Sequence, residues 1–454
     1  MVEVVESSLV APNGETPKHT IWLSNLDFNI ANYHMPVVYV YRNCNGDQSA
    51  VAGALKAALA DALVPFYPLA GRLGADPDGR NEIHCTGEGA MFVAARSDRS
   101  IDEELGDFAP SPEMMRLVPP LSGPSYSPSI LFLAQLTFFK CNGMTLGVAS
   151  QHRAMDGHST MHFINHWCKV ARGRNTELDV PPFLDRTVLR ARSPPNPDLF
   201  YAIGYKPNSA SGTAAGAPFT TVILKLSRKQ VALLKNRSEQ QSTFQAITAH
   251  AWRCACLARE LAPNRTTRVY LFADVRTRMK PALPRGYFGN AVCRIAAAAT
   301  SEEVVSSPIS FGARKIRDAT KLVTDGYARS VIDYIELAGK DERRTDWLGF
   351  SEADDLIANS WLGLPFQHAD FGWGRPEFMG KATTLGAGQV YVVSDTDGGV
   401  YVTVSLETQN MERFKKVFYE DIRECPMSTD RNNSIFSTSV YLRQSIYHLM
   451  CPYN

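Results

Sequence analysis

The chain has 454 residues, 44% hydrophobic and 20% charged, which is the composition of a water-soluble globular protein and a length too great for one simple core, so two domains are expected. Lys and Arg number 47 against 46 Asp and Glu, giving a net charge of +1 with no long run of one sign; this excludes a nucleic-acid surface and an anionic-membrane surface, and leaves any anionic ligand to local cations. The nine scattered cysteines form no C-x-x-C pair, the start Met1-Val2-Glu3-Val4-Val5-Glu6 is acidic, and no apolar run is long enough to span a bilayer, so a reducing, cytoplasmic setting without export is expected.

In chain order, residues 35–42 (M-P-V-V-Y-V-Y-R) are rich in β-branched and aromatic residues and predict a strand. Residues 47–63 predict an amphipathic helix with Val51, Leu55, Ala58, Leu59 and Leu63 on one face. The Pro- and Gly-punctuated segment Tyr67-Pro68-Leu69-Ala70-Gly71-Arg72-Leu73 leads into a strand-rich region, 82–95. Residues 129–139 and 144–150 predict a hairpin around Asn142-Gly143. Its second strand runs directly into Gln151-His152-Arg153-Ala154-Met155-Asp156-Gly157, followed by a helical pattern from His158 to Ala171.

That junction is the first candidate site. A histidine at a strand-to-loop edge is available as a general base, and Gly157 is expected to supply the backbone angles of a sharp turn. Asp156 is either its partner or an anchor for the loop. A competing arrangement lies on the same helix, where His158, His162 and His166 recur every four residues with the spacing of a zinc site, although the Glu of an H-E-x-x-H hydrolase is missing.

From 189 to 218 the composition turns Pro-rich and then Gly/Ala/Ser-rich, and a linker is expected there, between an N-terminal domain over 1–188 and a C-terminal one over 219–454. Beyond it, strands are predicted at 219–226, 268–276, 389–393 and 399–406, and helices at 227–236, 242–262, 310–325 and 410–422. Between them, Asn359 to Pro365 and Ala369-Asp370-Phe371-Gly372-Trp373-Gly374-Arg375-Pro376 have the Gly, Pro and aromatic content of specifically folded loops.

The pattern His152-x-x-x-Asp156-Gly157 followed by Asp370-Phe371-Gly372-Trp373-Gly374, with Tyr67 to Leu73, Tyr287-Phe288-Gly289-Asn290 and Gly374-Arg375-Pro376 in order, resembles the BAHD acyltransferases along the whole chain. The resemblance implies an α/β fold of two similar mixed-sheet domains, like chloramphenicol acetyltransferase, joined by a crossover linker with a tunnel between them. It implies acyl-CoA as co-substrate, a small-molecule acceptor, no bound cofactor or metal, and a monomer. His152 would be the base and Trp373 the donor to the thioester oxyanion; Asp156, Gly157, Arg276, Asp370, Gly372 and Gly374 would support the site, with Arg276 the preferred partner of Asp156 and Asp370 the competitor for that arginine. CoA would be met by Ser242, Thr243, Arg314, Lys315, Arg317 and Arg375.

Within the family the chain most resembles hydroxycinnamoyl transferases, which implies a p-coumaroyl or caffeoyl cargo in a pocket formed by His34, Met35, Val37, Tyr39, Gly363 and Leu364. Shikimate- and quinate-acylating members carry Arg at the position of Gly363, and Thr and Ser at those of Met35 and Val37. An acceptor carboxylate would lack its bidentate cation here, so the expected acceptor is an amine or a less polar alcohol. Shikimate or quinate transfer, a metal-dependent hydrolase and a non-catalytic acyl-CoA-binding relative are the alternatives.

Overall fold

Alternating β-branched and aromatic residues build two six-stranded mixed sheets, and the site lies between them. The computed structural model describes residues 2–43, 46–121, 127–173, 177–202, 217–338 and 349–423. The strands in chain order are β1 (Val2–Val10), β2 (Thr20–Trp22), β3 (His34–Tyr41), β4 (Arg72–Ala75), β5 (Asn81–His84), β6 (Ala90–Ser97), β7 (Phe132–Phe139) and β8 (Met144–Gln151). They continue as β9 (Phe219–Leu226), β10 (Thr266–Asp274), β11 (Val292–Thr300), β12 (Leu356–Ser360), β13 (Phe378–Lys381), β14 (Gln389–Ser394) and β15 (Val400–Glu407).

The first sheet has the order β1-β6-β7-β8-β3-β13 and the second β11-β10-β12-β14-β15-β9; β2, β5 and β4 form a small third sheet. β6 and β7 run parallel, as do β10, β12 and β14, and the remaining neighbours in the two large sheets are antiparallel. β7 and β8 form the expected hairpin, with Asn142 at φ 58 in its turn.

The two halves interlock. β13 follows residue 219 in sequence yet pairs with β3, with Lys381 opposite Val37 and Met379 opposite Tyr39. Residues up to Ile422 form one compact unit. The first part of the expected linker is tied to the second half, since Arg192 donates from its backbone and from Nε to the buried carboxylate of Asp333, at 2.8 and 2.6 Å. Residues 203–216 of that linker and 424–454 of the expected second domain lie outside the described residues.

Where the structure departs from the sequence reading, tertiary pairing decides. The alanine-rich run in β11 has little strand propensity of its own, and becomes a strand by pairing along all nine residues of β10. β12 falls partly in the Asn359 segment read as a loop; it is a short parallel strand between β10 and β14, a place that leaves no local turn signature.

Candidate active site

β8 ends one residue before His152, and His34 and Gln151 are the last pair of the β3–β8 ladder. The His152 backbone N–H donates to the Tyr33 carbonyl at 2.9 Å, and its ring meets the Tyr33 ring edge-on with centroids 5.5 Å apart. Its backbone carbonyl accepts from the Asn290 side-chain amide at 2.9 Å, and that amide also reaches the Arg153 carbonyl at 3.2 Å. Asn290 is oriented by the buried Asp27, whose Oδ1 accepts from its backbone and side-chain N–H groups at 2.9 Å and pairs with the buried Arg186 at 3.0 Å. Arg186 in turn donates to the Ala154 carbonyl at 2.6 Å. The Tyr287 to Asn290 segment therefore fixes the backbone that carries the histidine.

The His152 Nδ1 is shut off from solvent, so Nε2 is the nitrogen available to the cavity. Burial pushes the imidazole below its ordinary value of 6.5; the His152 and Met155 carbonyls and the Asp156 charge oppose this, and Lys381 adds to it. Near neutral pH the ring is an uncharged proton acceptor.

The Asp156 carboxylate is engaged by groups other than the His152 ring. It caps the helix Gly157–Ala171, Oδ1 accepting from the Ser159 N–H at 3.0 Å, and Oδ2 accepts from the Ala291 N–H at 3.0 Å. Arg276 donates to both of its oxygens, at 2.8 and 2.9 Å, and also to Asp274 at 2.6 Å. Burial alone would raise the Asp156 pKa, but the guanidinium and the two amides hold it below the usual 3.8. The carboxylate thus joins residues on both sides of the expected linker, a positioning role for the loop. Gly157 has a reason different from the expected one: it is the first helical residue, and a Cβ there would stand 2.9 Å from Leu364 Cδ1.

A cavity of about 640 Å³ opens at His152 between the two sheets. Met35, Val37 and Tyr39 line one wall, and Gly363 and Leu364 also border it. The opposite wall carries Phe272, Arg294, Asn359, Trp361 and Tyr391, with Asp274 and Glu352 bringing carboxylates to it. Strand alternation excludes His34 from this pocket, contrary to expectation: it faces the other side of β3, its Nε2 2.6 Å from the Ile130 carbonyl.

Trp373 is a second correction. Its ring meets Tyr41 at 5.8 Å and stacks on Phe371 at 5.6 Å. Tyr41 is seven residues along β3 from His34, about 23 Å at strand rise. The same loop accepts a hydrogen bond at the Asp370 carbonyl from Arg172, at the far end of the Gly157–Ala171 helix from His152. An oxyanion donor has to stand about 3 Å from the reacting oxygen, so Trp373 does not serve as one. Asp370 organises its own loop instead, Oδ1 accepting from the N–H groups of Gly372 and Gly374 at 2.8 and 2.9 Å, both glycines having positive φ. It therefore does not compete for Arg276.

The six expected CoA contacts lie away from the cavity lining. Ser242 caps the helix Thr243–Ala258 through the Gln245 N–H, Arg314 donates to both oxygens of Glu239 at 2.8 and 2.7 Å, Lys315 lies over Phe311, and Arg317 pairs with Asp318. Arg375 is exposed beyond the Asp370 loop. On the histidine helix, His162 is engaged by the Val180 carbonyl at 2.8 Å, His166 packs on Phe66, and His158 stands 3.8 Å from Asp274. Among the described residues no three His, Cys, Asp or Glu side chains are placed to hold a metal ion.

Glu352, Arg294 and Tyr391 were not singled out in the sequence, and Asn359 and Trp361 only as members of the loop segment read from Asn359 to Pro365. The period-two alternation of Ile357 with Asn359 and of Gln389 with Tyr391 marks one face of the second sheet, but only its pairing shows that this face looks into the cavity.

A model of the Transferase family matches residues 1–421. The chain is 44% identical over 449 residues to putrescine hydroxycinnamoyltransferase 1 of Oryza sativa subsp. japonica, covering 93% of this chain and 99% of that one. It is 40% identical to shikimate O-hydroxycinnamoyltransferase of Nicotiana tabacum, covering 92% and 99%. Among solved structures, F. graminearum TRI101 complexed with ethyl coenzyme A superposes with a TM-score of 0.75 at 17% identity, covering 88% of this chain and 97% of that one.

Proposed function

The chain belongs to the BAHD acyltransferases and catalyses CoA-dependent hydroxycinnamoyl transfer, and from that premise we propose that its acceptor is an amine. The observation that carries this reading is Glu352. Of the three carboxylates that border the cavity, Asp156 and Asp274 are both held by Arg276, whereas Glu352 makes no ion pair among the described residues. A carboxylate bordering a cavity whose lining is mostly apolar favours a cationic ligand, and an alkyl diamine brings one ammonium for it while the other amine, deprotonated, reaches His152. The position of Gly363 carries no cation, and Met35 and Val37 offer methyl groups to the hydroxyls of an acid such as shikimate.

In the transfer step, His152 Nε2 takes the proton of the acceptor nitrogen as that nitrogen attacks the thioester carbonyl. The tetrahedral intermediate then expels the CoA thiolate, which takes the proton from the imidazolium. An amide and free CoA leave, and no acyl-enzyme forms. Asn359, Ser360 and Trp361 border the cavity with N–H or O–H groups suited to the oxyanion. For CoA, the exposed Arg314–Glu239 pair is weak enough to open for a phosphate, with Lys315 and Arg317 on the helix of Arg314, Ile309–Lys321, and Ser242 and Thr243 at the start of the helix Thr243–Ala258.

Arg294, which also borders the cavity, supports the second reading, an acidic acceptor. A panel of putrescine, agmatine, tyramine and shikimate with p-coumaroyl-CoA separates the two. Amide formation with the amines is expected, and faster turnover of shikimate would overturn the assignment.

A further inference from the structure

Behind the cavity wall lies a lysine for which the transfer step has no use. Lys381, the last residue of β13, is 4% exposed, and no carboxylate among the described residues bears on its charge. A buried ammonium without an anionic partner is costly unless it is engaged otherwise. Its Nζ donates to the Tyr391 hydroxyl at 2.8 Å and lies 4.4 Å from the centre of that ring.

The hydrogen bonds of Tyr391 can be counted. The Gln389 amide is satisfied at both ends in one orientation, its oxygen accepting from the Leu385 and Gly386 N–H groups at 3.1 and 3.3 Å and its nitrogen donating to the Tyr391 hydroxyl at 3.1 Å. The phenolic oxygen then accepts from Lys381 and from Gln389, which fills its acceptor capacity. Its own proton is left for the cavity that the ring borders.

The depth of this group is informative. Lys381 is in register with Val37, four residues along the chain from Tyr33, whose ring meets His152; at strand rise that is about 13 Å. A hydroxycinnamoyl thioester whose carbonyl carbon lies within about 3–3.5 Å of the attacking atom at His152 extends its ring oxygen to this depth, past the methyl groups of Met35 and Val37.

We propose that the Tyr391 O–H, held by Lys381 and Gln389, donates to the ring hydroxyl of the hydroxycinnamoyl group and sets the enzyme's preference for hydroxylated acyl donors. Tyr391 touches the substrate, and Lys381 acts through it as a positioning residue. The proposal rests on the reading of the chain as a hydroxycinnamoyl-CoA enzyme.

The experiment measures kcat/KM for p-coumaroyl-CoA and for cinnamoyl-CoA, which lacks the ring hydroxyl, using the acceptor from the panel that turns over fastest. The unsubstituted enzyme is expected to prefer p-coumaroyl-CoA by about tenfold, the worth of one well-made hydrogen bond. Tyr391→Phe should remove that preference by lowering the p-coumaroyl value alone, and Lys381→Met should narrow it. Equal loss on both donors in Tyr391→Phe, or no preference in the unsubstituted enzyme, would overturn the proposal; an unchanged preference in a folded Lys381→Met would overturn the part given to Lys381. Should Lys381→Met fail to fold, the nearly isosteric Tyr391→Phe decides. Failure of the unsubstituted enzyme to use either donor with any acceptor would instead overturn the activity itself.

Discussion

Replacing Asp156 by alanine separates support from chemistry. The side chain is almost fully buried and accepts two hydrogen bonds from Arg276 and one each from the N–H groups of Ser159 and Ala291. Breaking a buried ion pair by removing one member costs about 3–5 kcal/mol, and loss of a helix N-cap about 1 kcal/mol. Asp274 still holds Arg276 at 2.6 Å, which places the pair at the lower end of its range and the whole near 4 kcal/mol. With an unfolding entropy of about 2.1 cal/mol/K per residue over roughly 420 residues, this lowers Tm by about 4–5 °C. Differential scanning calorimetry beside p-coumaroyl transfer measures both quantities. Asp156→Ala combined with Arg276→Met should recover part of the lost stability, since the second change removes the stranded cation. Because the folded pKa of Asp156 lies below 3.8, its contribution is complete above that pH and is lost as pH falls through the depressed value. An unchanged Tm with abolished turnover would refute this reasoning and make Asp156 a partner in the proton transfer.

Three further outcomes are expected. The His152 imidazole should titrate below 6.5, since burial depresses its pKa; NMR titration of the ring in the unliganded enzyme reads it apart from the acceptor amine's own proton, which also shapes the rate profile, and a value above 6.5 contradicts the burial argument. Gly363→Arg should fold normally, because a Cβ at that position meets nothing within 4 Å, and should raise kcat/KM for shikimate relative to putrescine. Trp373→Phe should keep kcat within about threefold, whereas loss of an oxyanion donor costs about 10²–10³, so steady-state rates on the two enzymes distinguish packing from catalysis.

Much of this site was legible where the signal was local. The Asn142-Gly143 turn, the strand running into His152 and the helix after Gly157 each announce themselves by residue type and period. Asp156 and Arg276, 120 residues apart, lie 2.8 Å from one another, a pairing suggested by resemblance and by the demand of a buried charge for a partner. What escaped was direction. His34 sits in the same strand as Met35 and Val37 but faces the other side of it. Trp373 has the indole N–H of an oxyanion donor, yet the fold spends the loop on packing at the far end of the histidine helix. Lys381 and Tyr391 meet because β13 crosses to the first sheet while β14 stays in the second, a juxtaposition that no local pattern carries.

The central claim is that His152 is the base that moves a hydroxycinnamoyl group from CoA to an amine. Its most direct measurement is the rate of p-coumaroylputrescine formation, followed by mass spectrometry together with thiol release, in the unsubstituted enzyme and in His152→Gln. The account predicts one amide per CoA released, and a loss of about 10²–10⁴ in kcat for the variant at unchanged Tm; a folded His152→Gln that keeps its rate contradicts it.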